Sequence, residues 1–319
     1  MQQIHANCDL PEPVLVTGAS GFIGGHLCRR LISEGRRVIG VTRRADSLLP
    51  EGVDRRILDL SAGAAVERLF ETDSPQTVFH LAGHVVGRRD VEEVLVAFRC
   101  NLTSTVNLLL AARKHSHGRF ILTGSLEEPQ LPDVAPSSPY AASKAAATAY
   151  ARMFHALYGL SVVVARVFMV YGPEQKDRNK LIPFVTDHLL AGDSPRIGSG
   201  VRAVDWIHVS DVVGGLMALA TTPGIDGRTL DIGTGCLATV RDVVEHLAEI
   251  IVSEGAPVFD SLDDRPMEQV RKADVETTRA ATGWFHKLSL EDGLEDTVRW
   301  HRQDLENRKD TANSSSTVR

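Results

Sequence analysis

The chain has 319 residues and a formal net charge of −6, and 43% of its residues are hydrophobic, which is enough for one large domain or two smaller ones. The acidic balance predicts no basic surface for nucleic acid or an anionic membrane, and no apolar run reaches the length expected of a bilayer-spanning helix. Four scattered cysteines show no metal-ligand or redox spacing, and residues 1–12 lack the segments of a signal peptide. We therefore expect no metal site and a cytoplasmic location.

Short apolar strands alternate with helical patterns through the first half of the chain. This alternation predicts a parallel sheet with helices on both faces, that is, a doubly wound Rossmann-type α/β domain. The predicted strands cover 14–17, 38–41, 56–58, 77–82, 119–123 and 161–167, and the clearest helices cover 98–115 and 140–158.

The pattern loosens after Tyr171, where a loop precedes a predicted helix at 181–191. Strands near 204–209 and 229–232 are expected to return to the main sheet, and helices at 240–252 and 290–301 flank a strand near 257–259. We expect a Rossmann-type domain, a smaller interleaved C-terminal substrate domain, and a ligand cleft at the carboxyl ends of the strands. The predicted bounds are 13–168 with about 204–235 for the first, 169–203 with 236–304 for the second, and flexible termini at 1–12 and 307–319.

The first strand leads into a glycine turn and a helix. Gly18, Gly21 and Gly24 stand at three-residue steps, in the order strand, turn and helix that a dinucleotide pyrophosphate requires. A glycine turn that only caps a helix is the alternative. The residues predicted to form the cofactor loop are Gly18, Ser20, Gly21, Phe22, Ile23 and Gly24.

The end of the second strand indicates the cofactor. An acidic residue there selects NAD by binding the adenosine ribose, but this chain has Thr42 followed by Arg43 and Arg44. Guanidinium groups suit a ribose phosphate, so the sequence predicts NADP(H). Asp59 is a candidate partner for the adenine amino group, and a local cap before Ser61 is an equal alternative.

Three residues suggest hydride-transfer chemistry. Tyr140 and Lys144 are four apart on a predicted helix and so share one face, while Ser125 follows the fifth strand. A lysine ammonium beside a tyrosine favours the phenolate, which makes the tyrosine an acid or base near neutral pH. Considered one at a time, these residues are less informative. A tyrosine and a lysine at helical spacing are often a surface pair, and a serine after a strand is often a turn residue.

The chain resembles an extended short-chain dehydrogenase/reductase of the NAD-dependent epimerase/dehydratase family, from about Val14 to Trp300. The matching segments are TGASGFIG (17–24), HLAG (80–83), NLTSTVNLL (101–109), Ser125, YAASK (140–144), VYGP (170–173), DWIHVSDVV (205–213), RP (265–266) and LSLEDGL (288–294). The resemblance implies Ser125 as hydrogen-bond donor, Tyr140 as proton donor or acceptor and Lys144 as its activator and a cofactor ligand. It implies further cofactor contacts at Leu60, Leu81, Ala82 and Gly83, and substrate contacts at His84, Ser125, Arg202 and Arg265.

Two departures from the family pattern concern the nucleotide half of the substrate. Met169 stands where the family often has an asparagine, and Val204 stands where it often has an arginine. Arg202 lies two residues earlier and shares a face with Val204 if the segment is a strand. A solvated strand edge is the alternative for Arg202.

The resemblance implies a nucleotide-sugar substrate, and the NADP-type turn favours NADPH-dependent reduction of a 4-keto-6-deoxyhexose. A nucleotide-sugar epimerase and a 4,6-dehydratase remain open, the latter because Glu127 occupies the position of an acid/base in some dehydratases. A non-catalytic NADP(H) sensor is the alternative from another class.

The resemblance also implies a homodimer. In the family, the helices at 98–115 and 140–158 pair with their copies in a four-helix interface. Both carry apolar residues beyond one buried face, and the candidates for the interface are Leu102, Val106, Leu109, Met153 and Leu157.

Overall fold

The computed structural model describes residues 10–116, 118–131, 133–263, 267 and 269–316, the last eight of these by their backbone alone. The chain divides into two compact units. The first comprises Met1–Phe168, Val212–Ile232 and Asp274–Phe285, and the second comprises Met169–Asp211, Gly233–Ala273 and His286–Arg319.

Strands and helices alternate through the first unit, as the sequence pattern predicts. In chain order, the strands of the described residues are β1 (Val14–Thr17), β2 (Val38–Thr42), β3 (Val53–Ile57), β4 (Thr77–His80), β5 (Arg119–Ser125), β6 (Val162–Val167), β7 (Met169–Tyr171), β8 (Ala203–Val204), β9 (Trp206–His208), β10 (Thr229–Ile232) and β11 (Ala238–Thr239). The α-helices are α1 (Phe22–Ser33), α2 (Gly63–Asp73), α3 (Glu93–Ala97), α4 (Ser104–His115), α5 (Pro139–Tyr158), α6 (Leu181–Leu190), α7 (Val209–Thr221), α8 (Val240–Ile251), α9 (Val275–Thr282) and α10 (Leu290–Ser316), with a π-helical turn (Phe98–Thr103) between α3 and α4.

Seven parallel strands form the sheet of the first unit, in the order β10-β6-β5-β4-β1-β2-β3. All four residues of β1 are buried, because this strand lies inside the sheet and both faces are covered. The edge strand β3 is partly exposed along its length, and it begins at Val53 rather than at the predicted residue 56. The doubly wound Rossmann-type fold predicted from the sequence is confirmed.

One predicted strand does not join the main sheet. Residues 204–209 divide between β8, which pairs antiparallel with β11, and β9, which pairs parallel with β7. By contrast, β10 joins the main sheet beside β6, as predicted. The strand expected near residue 258 is a single bridge between Arg196 and Val258. An apolar strand pattern indicates burial but does not identify the partner strand. The expectation that residues 204–209 join the main sheet was therefore wrong.

The segment 274–285 lies in the first unit, although the sequence suggested the substrate domain. It contains α9, and the Thr278 hydroxyl donates to the backbone oxygen of Asp231 in β10 at 2.9 Å. The backbone N–H of Asp274 also donates to the Asp231 carboxylate, at 3.0 Å. These contacts attach α9 to the edge of the seven-stranded sheet.

The second unit has its own apolar core, formed around α6, α8 and α10. Asp205, 1% exposed, precedes β9 and accepts backbone N–H groups from Thr234, Gly235 and Ala273. The backbone of α10 stays helical to Ser316, where a flexible tail was expected. Residues 294–316 contain no glycine or proline, so nothing in the sequence ends the helix earlier.

The continuous helical stretch Glu93–His115 has the length and apolar composition of a membrane-spanning helix, contrary to the expectation from the sequence. A core helix meets the same criterion, and the side chains of Leu108 and Leu109 are fully buried in the core of the first unit. Its apolar character is therefore explained in part by packing within the first unit.

Candidate active site

The glycine turn between β1 and α1 brings backbone groups together at the carboxyl end of the sheet. Gly18 has φ +68°, and a side-chain carbon added there would lie 2.8 Å from the backbone nitrogen of Ala82. A carbon added at Gly24 would clash with the carbonyl oxygen of Gly18. Gly21 caps α1 without a side chain, so the first N–H groups of the helix remain available to an anion. This cradle fits a dinucleotide pyrophosphate.

A buried hydrogen-bond chain fixes the loop after β4 beside this turn. The Thr17 hydroxyl oxygen accepts the N–H groups of Leu81 (3.2 Å) and Ala82 (3.1 Å), and it contacts His80 Nδ1 at 2.8 Å. Burial lowers the pKa of His80 to about 3, so its ring is neutral and its Nδ1 accepts the hydroxyl proton. His80 Nε2 then donates to Thr105 Oγ1 at 3.0 Å. The chain holds the segment that leads into Gly83 in one place.

The end of β2 presents two arginines with different surroundings. The Thr42 side chain is buried, and its hydroxyl donates to the carbonyl oxygen of Arg44 at 3.1 Å. Arg44 forms two contacts with the carboxylate of Asp46, at 2.9 and 2.5 Å. Arg43 is exposed and extends toward the π-helical turn, where its Nη1 lies 3.8 Å from Cys100 Sγ. Among the residues that the structure describes, Arg43 is therefore the one of these two arginines that contacts no carboxylate.

Asp59 is held by local contacts after β3. Its Oδ1 accepts the N–H and the hydroxyl of Ser61, at 2.9 and 2.8 Å, and its Oδ2 contacts Arg99 at 2.7 Å. The backbone N–H of Ser61 is the main cause of the lowered pKa of Asp59. Residue 62 caps α2, so Asp59 forms a turn rather than the helix cap itself. The Leu60 side chain is buried in the core.

Arg99 was not predicted from the sequence as a residue of the site. It lies in the π-helical turn and also donates to the Ser61 hydroxyl at 2.8 Å. A single arginine in a helical pattern gives no signal of such a contact.

The three candidate catalytic residues come together in the first unit. Ser125 is the last residue of β5, and its hydroxyl is close enough to the Tyr140 side chain to lower the pKa of the phenol. Ser138 caps α5 by accepting the N–H of Ala141, which places Tyr140 in the first turn of the helix. One turn later, Lys144 Nζ donates to the carbonyl oxygen of Thr123 at 2.8 Å, beside the end of β5.

The protonation of this group differs from the expectation. Burial raises the pKa of Tyr140 to about 12, helped by the negative charges of Glu127 and Glu128, while its hydrogen bond with Ser125 acts in the opposite direction. Burial lowers the pKa of Lys144 to about 8, and the charge of Glu128 opposes that change. The predicted phenolate is therefore not favoured here, because burial and the charges of the two glutamates act against it and Lys144 is not among the groups that change this pKa. The site holds a neutral phenol.

Two acidic residues follow Ser125. The Glu127 side chain is half-buried, its carboxylate lies 3.4 Å from the Ser137 hydroxyl, and its backbone N–H donates to Ser125 Oγ at 3.2 Å. Glu128, which sequence analysis did not single out, is 4% exposed and accepts the N–H of Ser125 at 2.7 Å. Its burial raises its pKa. The sequence did contain a signal for a buried acid at this position. Two consecutive acidic residues follow a buried strand, and one of two neighbouring side chains tends to face the protein interior.

The candidate substrate residues belong to different units. His84 belongs to the first unit, where its Nε2 contacts the Glu93 carboxylate at 2.6 Å. Arg202 belongs to the second unit, just before β8, and contacts the carbonyl oxygen of Gln269 at 3.3 Å. Arg265 lies outside the described residues. The Met169 side chain packs against the apolar core of the second unit.

Comparison with known proteins identifies the family. The model of the "NAD dependent epimerase/dehydratase family" matches residues 14–233. The chain belongs to this family. Among its relatives, a dTDP-glucose 4,6-dehydratase of Actinoplanes sp. is 32% identical over 91% of this chain and 97% of the relative.

Solved structures of the family have the same fold. A UDP-glucose 4-epimerase from Thermotoga maritima, solved with UDP-glucose, has a TM-score of 0.83 and 28% identity over 92% of this chain and 99% of its own. A UDP-glucose 4-epimerase from Thermus thermophilus, solved as a complex with NAD, has a TM-score of 0.80 and 29% identity over 91% and 98%. The chain thus spans nearly the whole length of these family enzymes.

Proposed function

We propose that this enzyme transfers hydride between a nicotinamide dinucleotide and a ring carbon of a nucleotide sugar, and that its net reaction is NADPH-dependent reduction of a 4-keto-6-deoxyhexose. The observation that carries the chemistry is the grouping of Ser125, at the end of β5, with the neutral Tyr140 and with Lys144, which lies one turn further along α5 and donates to the Thr123 carbonyl oxygen. Nucleotide-sugar substrates are supported by the names of the relatives, which act on dTDP-glucose and UDP-glucose.

The arrangement suits a proton donor. When bound, the reduced dinucleotide supplies the hydride to the carbonyl carbon. Ser125 donates a hydrogen bond to the carbonyl oxygen, and Tyr140 gives that oxygen its phenolic proton, so the ketone becomes a secondary alcohol. The Lys144 ammonium, on the same face of α5, stabilises the phenolate left on Tyr140.

The cofactor proposal rests on the end of β2. Thr42 offers no carboxylate to the ribose hydroxyls, and the exposed Arg43 can form charge-assisted hydrogen bonds with a ribose phosphate. NAD in the Thermus thermophilus neighbour supports a nicotinamide dinucleotide in general. NADP(H) is the specific form that we propose for this chain.

Epimerisation and 4,6-dehydration are the competing reactions, and the relatives favour them at least as strongly. The specific observation for dehydration is Glu127, whose backbone N–H contacts the Ser125 hydroxyl and whose carboxyl group is half-buried. The residue between them, Leu126, has a buried apolar side chain and offers no second acid or base for eliminating water.

The deciding experiment follows NADPH absorbance with a panel of nucleotide-linked 4-keto-6-deoxysugars. Stoichiometric loss of NADPH supports reduction. A product formed from an ordinary nucleotide hexose without net change of cofactor contradicts it and assigns epimerisation or dehydration. Glu127→Gln then separates these two, because only dehydration is expected to depend on that carboxyl group.

We also propose a homodimer through the helical stretches 98–115 and 140–158. Phe98, Leu110 and Leu157 are 53–67% exposed, so both stretches present apolar surface. The expected interface changes in one respect: Leu109 is fully buried within its own unit and is not available to a partner. Sedimentation of a monomer at micromolar concentration would contradict the proposal.

A further inference from the structure

An arginine that the proposed reaction does not use joins the π-helical turn to the loop after β3. Arg99 is the second residue of that turn, and its Nη2 lies 2.7 Å from Asp59 Oδ2 while its Nε donates to Ser61 Oγ at 2.8 Å. Both nitrogens lie on one edge of the planar guanidinium group. The two contacts therefore fix the plane of the group, and its faces stay accessible because the side chain is 66% exposed.

The loop that holds Arg99 is itself held from a second point. Asn107 Nδ2 donates to the carbonyl oxygen of Leu60 at 2.9 Å, and the carbonyl oxygen of Asp59 accepts the N–H of Ala62 at 3.0 Å. Since Arg99 and Asn107 lie on one continuous helical stretch, the loop is tied to that stretch at two places. A group that is already fixed loses little freedom when a ligand packs on it, which favours binding.

Arg99 lies where the adenine base of a dinucleotide is expected. In this fold the pyrophosphate binds at the turn after β1 and the adenosine ribose binds at the end of β2. The base extends beyond the ribose, and the next strand in that direction is β3, whose end is joined to β2 by the Leu58 N–H and the Thr42 carbonyl oxygen at 3.1 Å. Arg43 extends toward the same turn, because its Nη1 lies 3.8 Å from Cys100 Sγ. The ends of β2 and β3 and the π-helical turn thus meet at one place.

We propose that Arg99 binds the adenine ring of the dinucleotide by stacking its guanidinium plane on the base, and that Asp59 positions Arg99 instead of binding the adenine amino group. A planar guanidinium held along one edge can stack on an aromatic ring and attract it through its charge. Asp59 Oδ1 already accepts the N–H and the hydroxyl of Ser61, and its Oδ2 contacts Arg99. Both NADH and NADPH carry adenine, so this contact serves both cofactors, whereas Arg43 acts on a ribose phosphate alone.

Titration of the protein with NADH and with NADPH tests the contact. Arg99→Ala should weaken the binding of both by about 2- to 30-fold, the range of cation–π contacts, and leave their ratio unchanged. Arg99→Lys keeps the charge without the planar group and should lose almost as much. Arg113→Ala is the matched control, because Arg113 is an exposed arginine near the other end of the same helical stretch. Unchanged affinities in Arg99→Ala, or a loss for NADPH alone, would overturn the proposal.

Dinucleotides with hypoxanthine in place of adenine separate stacking from a contact with the amino group. They keep the purine ring system and carry an oxygen where adenine has its amino group. If Arg99 stacks on the base, the unmodified protein should bind them nearly as tightly as the adenine forms, and Arg99→Ala should weaken both kinds equally. Much weaker binding to the unmodified protein would assign the Asp59 carboxylate to the amino group and overturn the proposal.

The positioning role of Asp59 has its own test. Asp59→Asn keeps an acceptor for Ser61 and removes the charge that holds Arg99, so it should weaken both cofactors. In the Arg99→Ala background the same substitution should have no further effect, because Asp59 acts through the arginine. Losses that add in the double variant would contradict this role.

A measurement on the unmodified protein covers the case in which a variant does not fold. The NMR signal of the Arg99 Nε–H, assigned through its bonds, should move to lower frequency when ADP is added, because a stacked aromatic ring shields protons above its face. A loss of affinity in Arg99→Ala without this shift would mean that Arg99 only ties the turn to the loop, and it would overturn the binding role.

The inference rests on the proposed function only in that the protein binds a nicotinamide dinucleotide, and these titrations need no sugar. Equal affinities for NADH and NADPH would contradict the NADP(H) assignment and leave the role of Arg99 standing. Failure to reduce any keto-sugar would likewise refute the proposed reaction alone. A protein that binds neither dinucleotide would overturn both proposals.

Discussion

The two ends of the candidate dinucleotide site hold their charges in different ways. At the catalytic end, Lys144 is 7% exposed and its ammonium donates to a backbone carbonyl oxygen. At the end of β2, Arg43 and Arg44 lie on the surface, and the Arg44–Asp46 pair is open to solvent. A buried charge has large effects because few waters screen it, whereas an exposed pair contributes little. Substitutions at the catalytic end should therefore cost more than substitutions at the adenosine end.

The largest expected effect comes from Tyr140→Phe. The variant keeps the ring in its half-buried position but removes the phenolic proton, so turnover should fall by roughly 10²–10⁴-fold while cofactor binding persists. Steady-state rates and a cofactor titration check both halves of this statement. Tyr150→Phe is the matched control, because Tyr150 lies on the same helix and is 41% exposed. Similar losses in the two variants would refute the assignment of Tyr140.

The contrast between the two ends also determines what the sequence could reveal. The glycine turn was predictable because its glycine spacing lies within one strand, turn and helix, where Gly24 packs against the Gly18 carbonyl oxygen. Ser125, Tyr140 and Lys144 were predictable because a strand end and a four-residue helical step limit where those side chains point.

Other features depend on geometry that the sequence does not state. Arg99 contacts Asp59 from a π-helical turn, and such turns change the direction of the side chains that follow. The raised pKa of Tyr140 is caused mainly by burial, which the helical spacing does not state. Either of the two consecutive acids after β5 fits the sequence pattern, and the structure buries Glu128. Residues 204–209 were assigned to the wrong sheet because local apolar character does not select a pairing partner.

At the adenosine end, the affinities for NADPH and NADH test the contributions of Arg43 and Arg44. Losing one charge-assisted phosphate contact costs about 1.5–3 kcal/mol, so Arg43→Ala should weaken NADPH roughly 10–150-fold and leave NADH nearly unchanged. Arg44→Ala should have the smaller effect on NADPH, because its guanidinium is already engaged with Asp46. Titration of both variants with both cofactors measures this. Equal affinity of the unmodified protein for NADPH and NADH would contradict the assignment of NADP(H) as the cofactor.

The smallest expected effect is a pH dependence at the catalytic end. Burial lowers the pKa of Lys144 to about 8, so the group is protonated below that pH and loses its charge as the pH rises through it. Reduction needs the ammonium to stabilise the Tyr140 phenolate, so the rate should decline above about pH 8. About half a pH unit above that value, the rate should be only a few-fold lower than at neutral pH. Lys144→Arg supplies the sharper test, since a guanidinium stays charged throughout this range. In that variant the alkaline limb should disappear even if the rate is lower overall, and a limb that persists at the same pH would assign the titration to another group.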